Sequence, residues 1–225
     1  MKNKVIGLIC CLSLLLGTII SIIDFWCFND AFYKNEYTNL NTAESIGMSQ
    51  EDLDKTTDVL LNYLKDRNNT LDIQVKIKGQ LREVFNQREK DHMVDVRELY
   101  LNAITVRNVA YGIFAFCIFI LVYKKDLKCL YKSYLKALAI FGFIFIAIGI
   151  FCIIDFDSFW TSFHHIFFAG NDLWLLDPRT DVLIMMVPSK FFFDLCISIV
   201  FSIFVVMFIY FIIIKILDKK VINKC

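Results

Sequence analysis

Four apolar runs limit what this chain can fold into. They cover about residues 5–23, 104–123, 135–154 and 193–216. Each is long enough to cross a bilayer, whose hydrocarbon core of roughly 30 Å takes about 20 helical residues. Lipid offers no partners for open backbone N–H and C=O groups, so such runs must be helical there. Composition agrees, because 57% of the 225 residues are hydrophobic against about 45–50% in soluble domains. The expected fold class is an integral membrane protein, mainly α, with four transmembrane helices and an extracellular cap of mixed helix and short strand.

The runs divide the chain into a tail with the first span (1–23), a cap (24–103), the second span (104–123), a short loop (124–134) and the third span (135–154). An aromatic-rich loop (155–192), the fourth span (193–216) and a tail (217–225) follow. Lys124, Lys125, Lys128, Lys132 and Lys136 lie between spans two and three, Lys215, Lys219, Lys220 and Lys224 follow span four, and Lys2 and Lys4 precede span one. The positive-inside rule then places both termini in the cytoplasm, with the cap and the aromatic loop at the outer face of the cytoplasmic membrane. The first span reads as a retained anchor: it is long for a signal core, and no small-x-small cleavage site precedes Asp24-Phe25-Trp26. Ile9 and Cys10, where a small residue is required, argue against a lipoprotein signal at Cys10 or Cys11. The second span starts weakly and needs Arg107 to snorkel. The cysteines, Cys10, Cys11, Cys27, Cys117, Cys129, Cys152, Cys196 and Cys225, lie in or beside apolar or cytoplasmic segments, so no disulfide framework is implied.

A net charge of +1 provides no field for nucleic acid, which is not an expected partner. The middle spans carry almost no ionisable groups, and span four has only Asp194 and Lys215 at its ends, which disfavours a channel or transporter. Walker, dinucleotide-loop, HExxH and GxSxG motifs are absent.

In the cap, Ser49 and Asp52 resemble an N-cap box, and Leu53, Thr57, Leu60 and Leu64 recur at helical spacing, so a helix is expected over about 50–66. Leu71, Ile73, Val75 and Ile77 alternate with polar residues up to Gly79, as in a short half-buried strand. From Leu81 the helical period returns and is expected to run into the second span, with His92, Asp95, Val96 and Leu99 on one face. The second external segment contains Phe159-Trp160, Phe163-His164-His165-Ile166-Phe167-Phe168 and Trp174 to Asp181. Such aromatic density suits a membrane interface. An aromatic belt, however, does not call for adjacent histidines or for Asp177-Pro178 and Asp181. Both prolines, Pro178 and Pro188, fall here, and a rigid, re-entrant or surface-lying loop is expected.

All three histidines of the chain, His92, His164 and His165, are external, and two segments far apart in sequence are expected to meet at the boundary of cap and membrane. The simpler alternative is that His92 and Asp95 form only a solvated helical pair. Zinc ligation by histidines with Asp95, Asp177 and Asp181 is chemically open, but the spacing is not diagnostic. Without a nucleophile motif, the chemistry left for two histidines beside lipid is general acid and base catalysis, and acyl transfer fits it.

The pattern His92-Met93-x-Asp95-Val96, Phe163-His164-x-Ile166-Phe167-Phe168, Trp174-x-x-Asp177-Pro178-x-x-Asp181-x-Leu183-Ile184 and Pro188-x-x-Phe191-Phe192 resembles the lipoprotein intramolecular transacylase family. The resemblance covers nearly the whole chain. It implies an acyltransferase without cofactor or metal, working among membrane lipids on a diacylglyceryl lipoprotein. The reaction moves the sn-2 acyl chain to the α-amino group of the lipidated N-terminal cysteine and leaves the lyso-form. By that resemblance His92 and His164 are the catalytic pair, while His165 falls on a variable position and is not expected to act. Asp95 is expected to orient His92, Trp174 to belong to the aromatic wall that folds the substrate, and Asp177 and Asp181 to brace their loop. Two other functions stay open: a non-catalytic scaffold or chaperone for an exported partner, and a metal-dependent membrane hydrolase.

Overall fold

The computed structural model describes residues 2–222. Met1, Lys224 and Cys225, assigned above to the cytoplasmic tails, lie outside the described residues. In chain order the elements are α1 (Lys2–Cys27), α2 (Asp30–Asn39), α3 (Thr42–Ile46), α4 (Gln50–Leu64), β1 (Gln74–Ile77), β2 (Gln80–Glu83) and α5 (Gln87–Tyr123). They continue with α6 (Cys129–Ile154), α7 (Phe156–Phe167), α8 (Val182–Met186) and α9 (Ser189–Ile222). Backbone contacts divide the chain into two compact units.

The first unit holds α1 to Trp26, α5 from Ala103, α6, and α9 from Cys196. Its four helices are, among the described residues, the ones long and apolar enough to cross a membrane. At 37 residues, α5 runs about 55 Å and exceeds the hydrocarbon thickness by far. Arg88, Glu89, Lys90, Asp91, Asp95, Arg97 and Glu98 crowd its first turns, so the spanning part is the apolar stretch from about residue 104. Packing inside this unit is confined to narrow seams. Cys11, Leu15 and Ile19 of α1 pack with Tyr134 and Ala137 of α6 and with Ile203 and Met207 of α9. Cys10 meets Cys117 and Leu121 of α5.

Polar atoms between these helices are paired locally. Tyr134 Oη donates to Met207 O at 2.5 Å, Trp26 Nε1 donates to Ser202 Oγ at 2.9 Å, and Arg107 Nη1 reaches Asp24 Oδ2 at 2.9 Å. Gly17 lets α1 approach α5, since a Cβ there would stand 2.9 Å from the Tyr111 ring. Phe116, Phe119, Phe143, Ile154, Phe201 and Phe208 point outward and exposed. That is the inside-out pattern expected where the solvent is lipid.

The second unit holds residues Cys27–Asn102 and Asp155–Leu195. Ser49 caps α4, accepting from Asp52 N at 3.0 Å, and the helix falls where the 50–66 periodicity expects it. Its apolar side buries Leu53, Leu60 and Leu61, a contribution of roughly 1.5–3 kcal/mol for each side chain. Leu71, Ile73, Val75 and Ile77 are all buried, as their alternation expects, and Tyr33, Phe32 and Tyr37 surround a fully buried Phe191.

Two features differ from the expectations, and a third had none. Helix does not resume at Leu81: Lys78 and Gly79 both take positive φ, the two-residue turn that suits a hairpin. The turn folds β2 back on β1 in the register Ile77 to Gln80 and Gln74 to Glu83. Leu81 is consequently exposed at 67%, and α5 starts only at Gln87. The segment after Ile154 is not a loop throughout, because Asp155 Oδ1 accepts from Ser158 N at 3.0 Å and starts α7. Residues 30–46, unassigned from sequence, form α2 and α3. Asn29 caps α2 by accepting from Phe32 N, and α3 ends on Gly47 at φ 82°, as the left-handed cap of a helix requires.

Candidate functional site

The amphipathic period of α7 places Phe156, Trp160 and His164 one turn apart on one side, with Phe163 and Phe167 beside them. Trp160 stacks on Phe156, Phe163 and Phe192, the last with centroids 4.3 Å apart. His164 inserts into this array. Its ring stacks on Trp174 at 4.7 Å, meets Trp160 edge-on at 4.9 Å, and lies 5.7 Å from Phe168. Across from it, on the first turns of α5, His92 meets Phe168 edge-on at 5.3 Å and faces His164 with centroids 6.2 Å apart. Both histidines belong to the second unit and both are buried, at 6% and 7% exposure. Residues 72 positions apart in sequence thereby form one imidazole pair in an aromatic enclosure.

The hydrogen bonds set the protonation. His164 Nδ1 lies 2.8 Å from Trp160 O. A carbonyl oxygen only accepts, so Nδ1 carries the proton and Nε2 of the neutral ring carries the lone pair. Burial lowers the His164 pKa from its ordinary value, countered by this backbone bond and assisted by His165. His92 is pushed down to about 4, by burial first and then by His164, with Asp95 pulling it up and Arg88 down. Both rings are therefore neutral at pH 7, each with one donor and one acceptor. His92 Nδ1 is buried without a hydrogen-bond partner, a costly condition for a polar atom unless a ligand completes it.

Asp95 lies one turn from His92 but its carboxylate accepts from Asn171 Nδ2 at 2.8 Å. It does not hold the His92 ring through Nδ1, and its influence there is electrostatic. The helical spacing that suggested direct orientation brings the two residues to one face, while the arriving 171–181 segment takes the carboxylate. His165 is exposed and meets the Trp174 edge at 5.3 Å. Asp177 turns to Arg179, which bonds both of its oxygens and holds the carboxyl at about 2. Asp181 is buried and accepts from Asn86 Nδ2 at 2.9 Å and from Asp177 N at 2.8 Å. Among the described residues no group of three His, Cys, Asp or Glu side chains is arranged to hold a metal ion.

Sequence reasoning passed over Glu89, which is 1% exposed. Asn86-x-x-Glu89 is a capping-box pattern: Asn86 Oδ1 accepts from Glu89 N at 3.1 Å while Glu89 Oε2 accepts from Asn86 N at 2.7 Å. Read as a start signal, it would have located both the beginning of α5 and the residue.

Four span-length helices and a buried histidine pair among aromatic rings place the chain in a class, the multi-span membrane proteins. Comparison supplies the family. The family model described as lipoprotein intramolecular transacylase Lit matches residues 8–192, and the chain belongs to that family of acyltransferases. A solved structure of the membrane integral lipoprotein intramolecular transacylase Lit from Bacillus cereus is similar in fold. Its TM-score is 0.75 at 21% identity, covering 99% of this chain and 97% of that one. Two further structures of the Bacillus cereus protein, with a histidine replaced by arginine or by alanine, match at TM-score 0.75 and 22% identity. They cover 99% of this chain and 93% and 94% of theirs. Comparison with curated proteins found no match.

Proposed function

We propose that this chain moves the sn-2 acyl chain of a diacylglyceryl lipoprotein to the α-amino group of its N-terminal cysteine, producing the lyso-form. The observation that supports this reading best is the neutral, buried pair His92 and His164 at 6.2 Å, enclosed by Trp160, Phe168 and Trp174. The cysteine amine attacks the ester carbonyl carbon, the tetrahedral intermediate collapses, and the C–O bond to the glyceryl sn-2 oxygen breaks. Amine and ester become amide and alcohol, so one proton leaves nitrogen and one arrives on oxygen. Nε2 of His164, the lone-pair atom of its tautomer, is suited to accept the first, and His92 to deliver the second, its own proton being replaced from the His164 imidazolium so that both rings end neutral. Aromatic walls restrict the substrate to folded conformers in which amine and ester approach. Donor and acceptor are one molecule, so the scheme uses no acyl-enzyme and no cofactor.

Membrane orientation belongs to the same reading: spans at 5–23, 104–123, 135–154 and 193–216 of the cytoplasmic membrane, both termini cytoplasmic, the site outside. Lys55→Cys and Lys128→Cys, probed in intact cells with an impermeant thiol reagent and mapped by peptide mass, test it. Labelling at position 55 alone is expected, and labelling at 128 alone would reverse the topology.

The decisive experiment is a reporter lipoprotein in a host limited to the diacyl form, with and without this chain. Intramolecular transfer conserves mass, so the readout is loss of the free α-amine and an N-acyl, monoacylglyceryl fragment. Their appearance, abolished by His92→Ala or His164→Ala, supports the transacylase. An unchanged amine with well-expressed protein would sink it.

A further inference from the structure

Four side chains from ten residues at the start of α5 hold both ends of the segment that carries Trp174. At its near end Arg88 pairs with Asp172, and Asp95 accepts from Asn171 Nδ2. At its far end Asn86 Nδ2 donates to Asp181, and Glu89 Oε1 accepts from Leu183 N, the second residue of α8, at 2.6 Å. Between these anchors the segment folds on itself, with Leu175 N bonded to Asp172 O and Asp177 N to Asp181 Oδ2. In the middle sits Trp174, stacked on His164.

The anchors differ in strength. Arg88 and Asp172 are 40% and 75% exposed in their side chains, where an ion pair contributes little. Glu89 is buried and satisfies two backbone donors, Asn86 N at the cap of α5 and Leu183 N of α8. Charge-assisted bonds of this kind are roughly twice as strong as neutral ones, and losing the acceptor would orphan buried N–H groups. Burial pushes the Glu89 carboxyl up from its ordinary value, and the two backbone N–H groups pull it back down.

We propose that Glu89 is a positioning residue: by clamping the 171–183 segment to α5 it holds Trp174 against His164, and so sets the spacing of His164 from the His92 ring one turn further along the same helix. The link to catalysis rests on the transacylase reading above. Glu89 touches neither histidine and needs no contact with substrate.

The test uses the full-length protein in lipid nanodiscs with Glu89→Gln, which keeps the shape but offers one oxygen to two N–H groups. Amide exchange over residues 171–183 is expected to speed up while protection in α1 and α6 stays the same. Transacylation should lose about 10- to 100-fold in kcat with KM nearly unchanged, as small misplacements of catalytic groups do. In a double-mutant cycle with Trp174→Ala, the combined variant should be little worse than the worse single one, because both changes release the same contact. Full additivity would overturn the proposal, since a merely structural role predicts it. If Glu89→Gln does not fold, Glu89→Asp, which keeps the charge and the α5 cap but falls short of Leu183 N, is expected to produce the same local exchange. An inactive wild-type protein with that exchange difference intact would sink the transacylase reading and leave the clamp. Equal exchange in all three proteins would sink the clamp whatever the activity.

Discussion

The two units solve the burial of polar groups in opposite ways. Among the described residues of the helix unit of α1, α6 and the apolar parts of α5 and α9, the buried polar side chains carry hydroxyls, those of Ser13, Thr18, Ser133 and Tyr134. Hydroxyls find a backbone carbonyl or a neighbouring hydroxyl there, as Ser13 Oγ to Cys10 O, Thr18 to Tyr210 and Tyr134 Oη to Met207 O illustrate. In the other unit Glu36, Glu89, His92, His164 and Asp181 are buried as well. Lipid punishes an unpaired ionisable group on a span, so those helices remain chemically quiet. A cap built around its own core can supply backbone N–H groups, amides and aromatic faces, and there burial raises the pKa of Glu36 and Glu89 and lowers that of His92 and His164.

That contrast predicts that changes at the histidine pair of the second unit move rate far more than stability, and that changes in the first unit move only stability. His164→Ala should show it most visibly, lowering kcat by about 100- to 10,000-fold, the range of general acid–base catalysis, while the lost ring contacts lower the melting temperature in detergent only modestly. A thermal loss that matched the activity loss would remove the distinction.

Acid provides the next test. Burial lowers both histidine pKa values, so the unfolded chain takes up protons that the folded chain refuses. The stability concerned is present above the unfolded value of about 6.5 and is lost as pH falls through the folded one. For His92, which is pushed down to about 4, the loss is of the order of 3 kcal/mol across that window. Activity should stay flat at neutral pH and fall on the acid side, as the base is protonated. Denaturation midpoints from pH 7 to 4 for wild type and His92→Gln measure the difference, and identical slopes would show that His92 titrates normally.

Tyr134→Phe in the helix unit removes the buried donor to Met207 O. It should destabilise by about 1 kcal/mol, read as a lower midpoint, with kcat per folded molecule unchanged. A fall in kcat would couple the units. Arg179→Ala, which removes an exposed partner of Asp177, is expected to leave the denaturation midpoint unchanged. A shift in the same denaturation assay would give that surface pair a role its exposure denies.

The histidine site was partly legible. His92 and His164 stood out because ionisable residues of their type are rare beside spans, and the family pattern selected them over His165. What Asp95 would bond was not legible. Helical spacing tells which residues share a face but not which side chain arrives from 76 residues away, and Asn171 arrives there. The hairpin escaped for a related reason: Leu81, Val84 and Phe85 fit a helical period, while Lys78 and Gly79 turn the backbone through positive φ.

By itself the sequence determined the four spans, the amphipathic α4, the buried alternation of residues 71–77 and the family. All of these rest on periodicity, length or motif, which are properties of neighbouring residues. Tertiary structure alone decided that the ring array around His164 and Trp160 is closed by Trp174 and Phe192. It also decided that the two imidazoles stand 6.2 Å apart, and that Glu89 fills its second oxygen from the backbone of α8. Those contacts depend on where distant segments come to rest once apolar surface is buried, and no local pattern encodes a distance between residues 92 and 164.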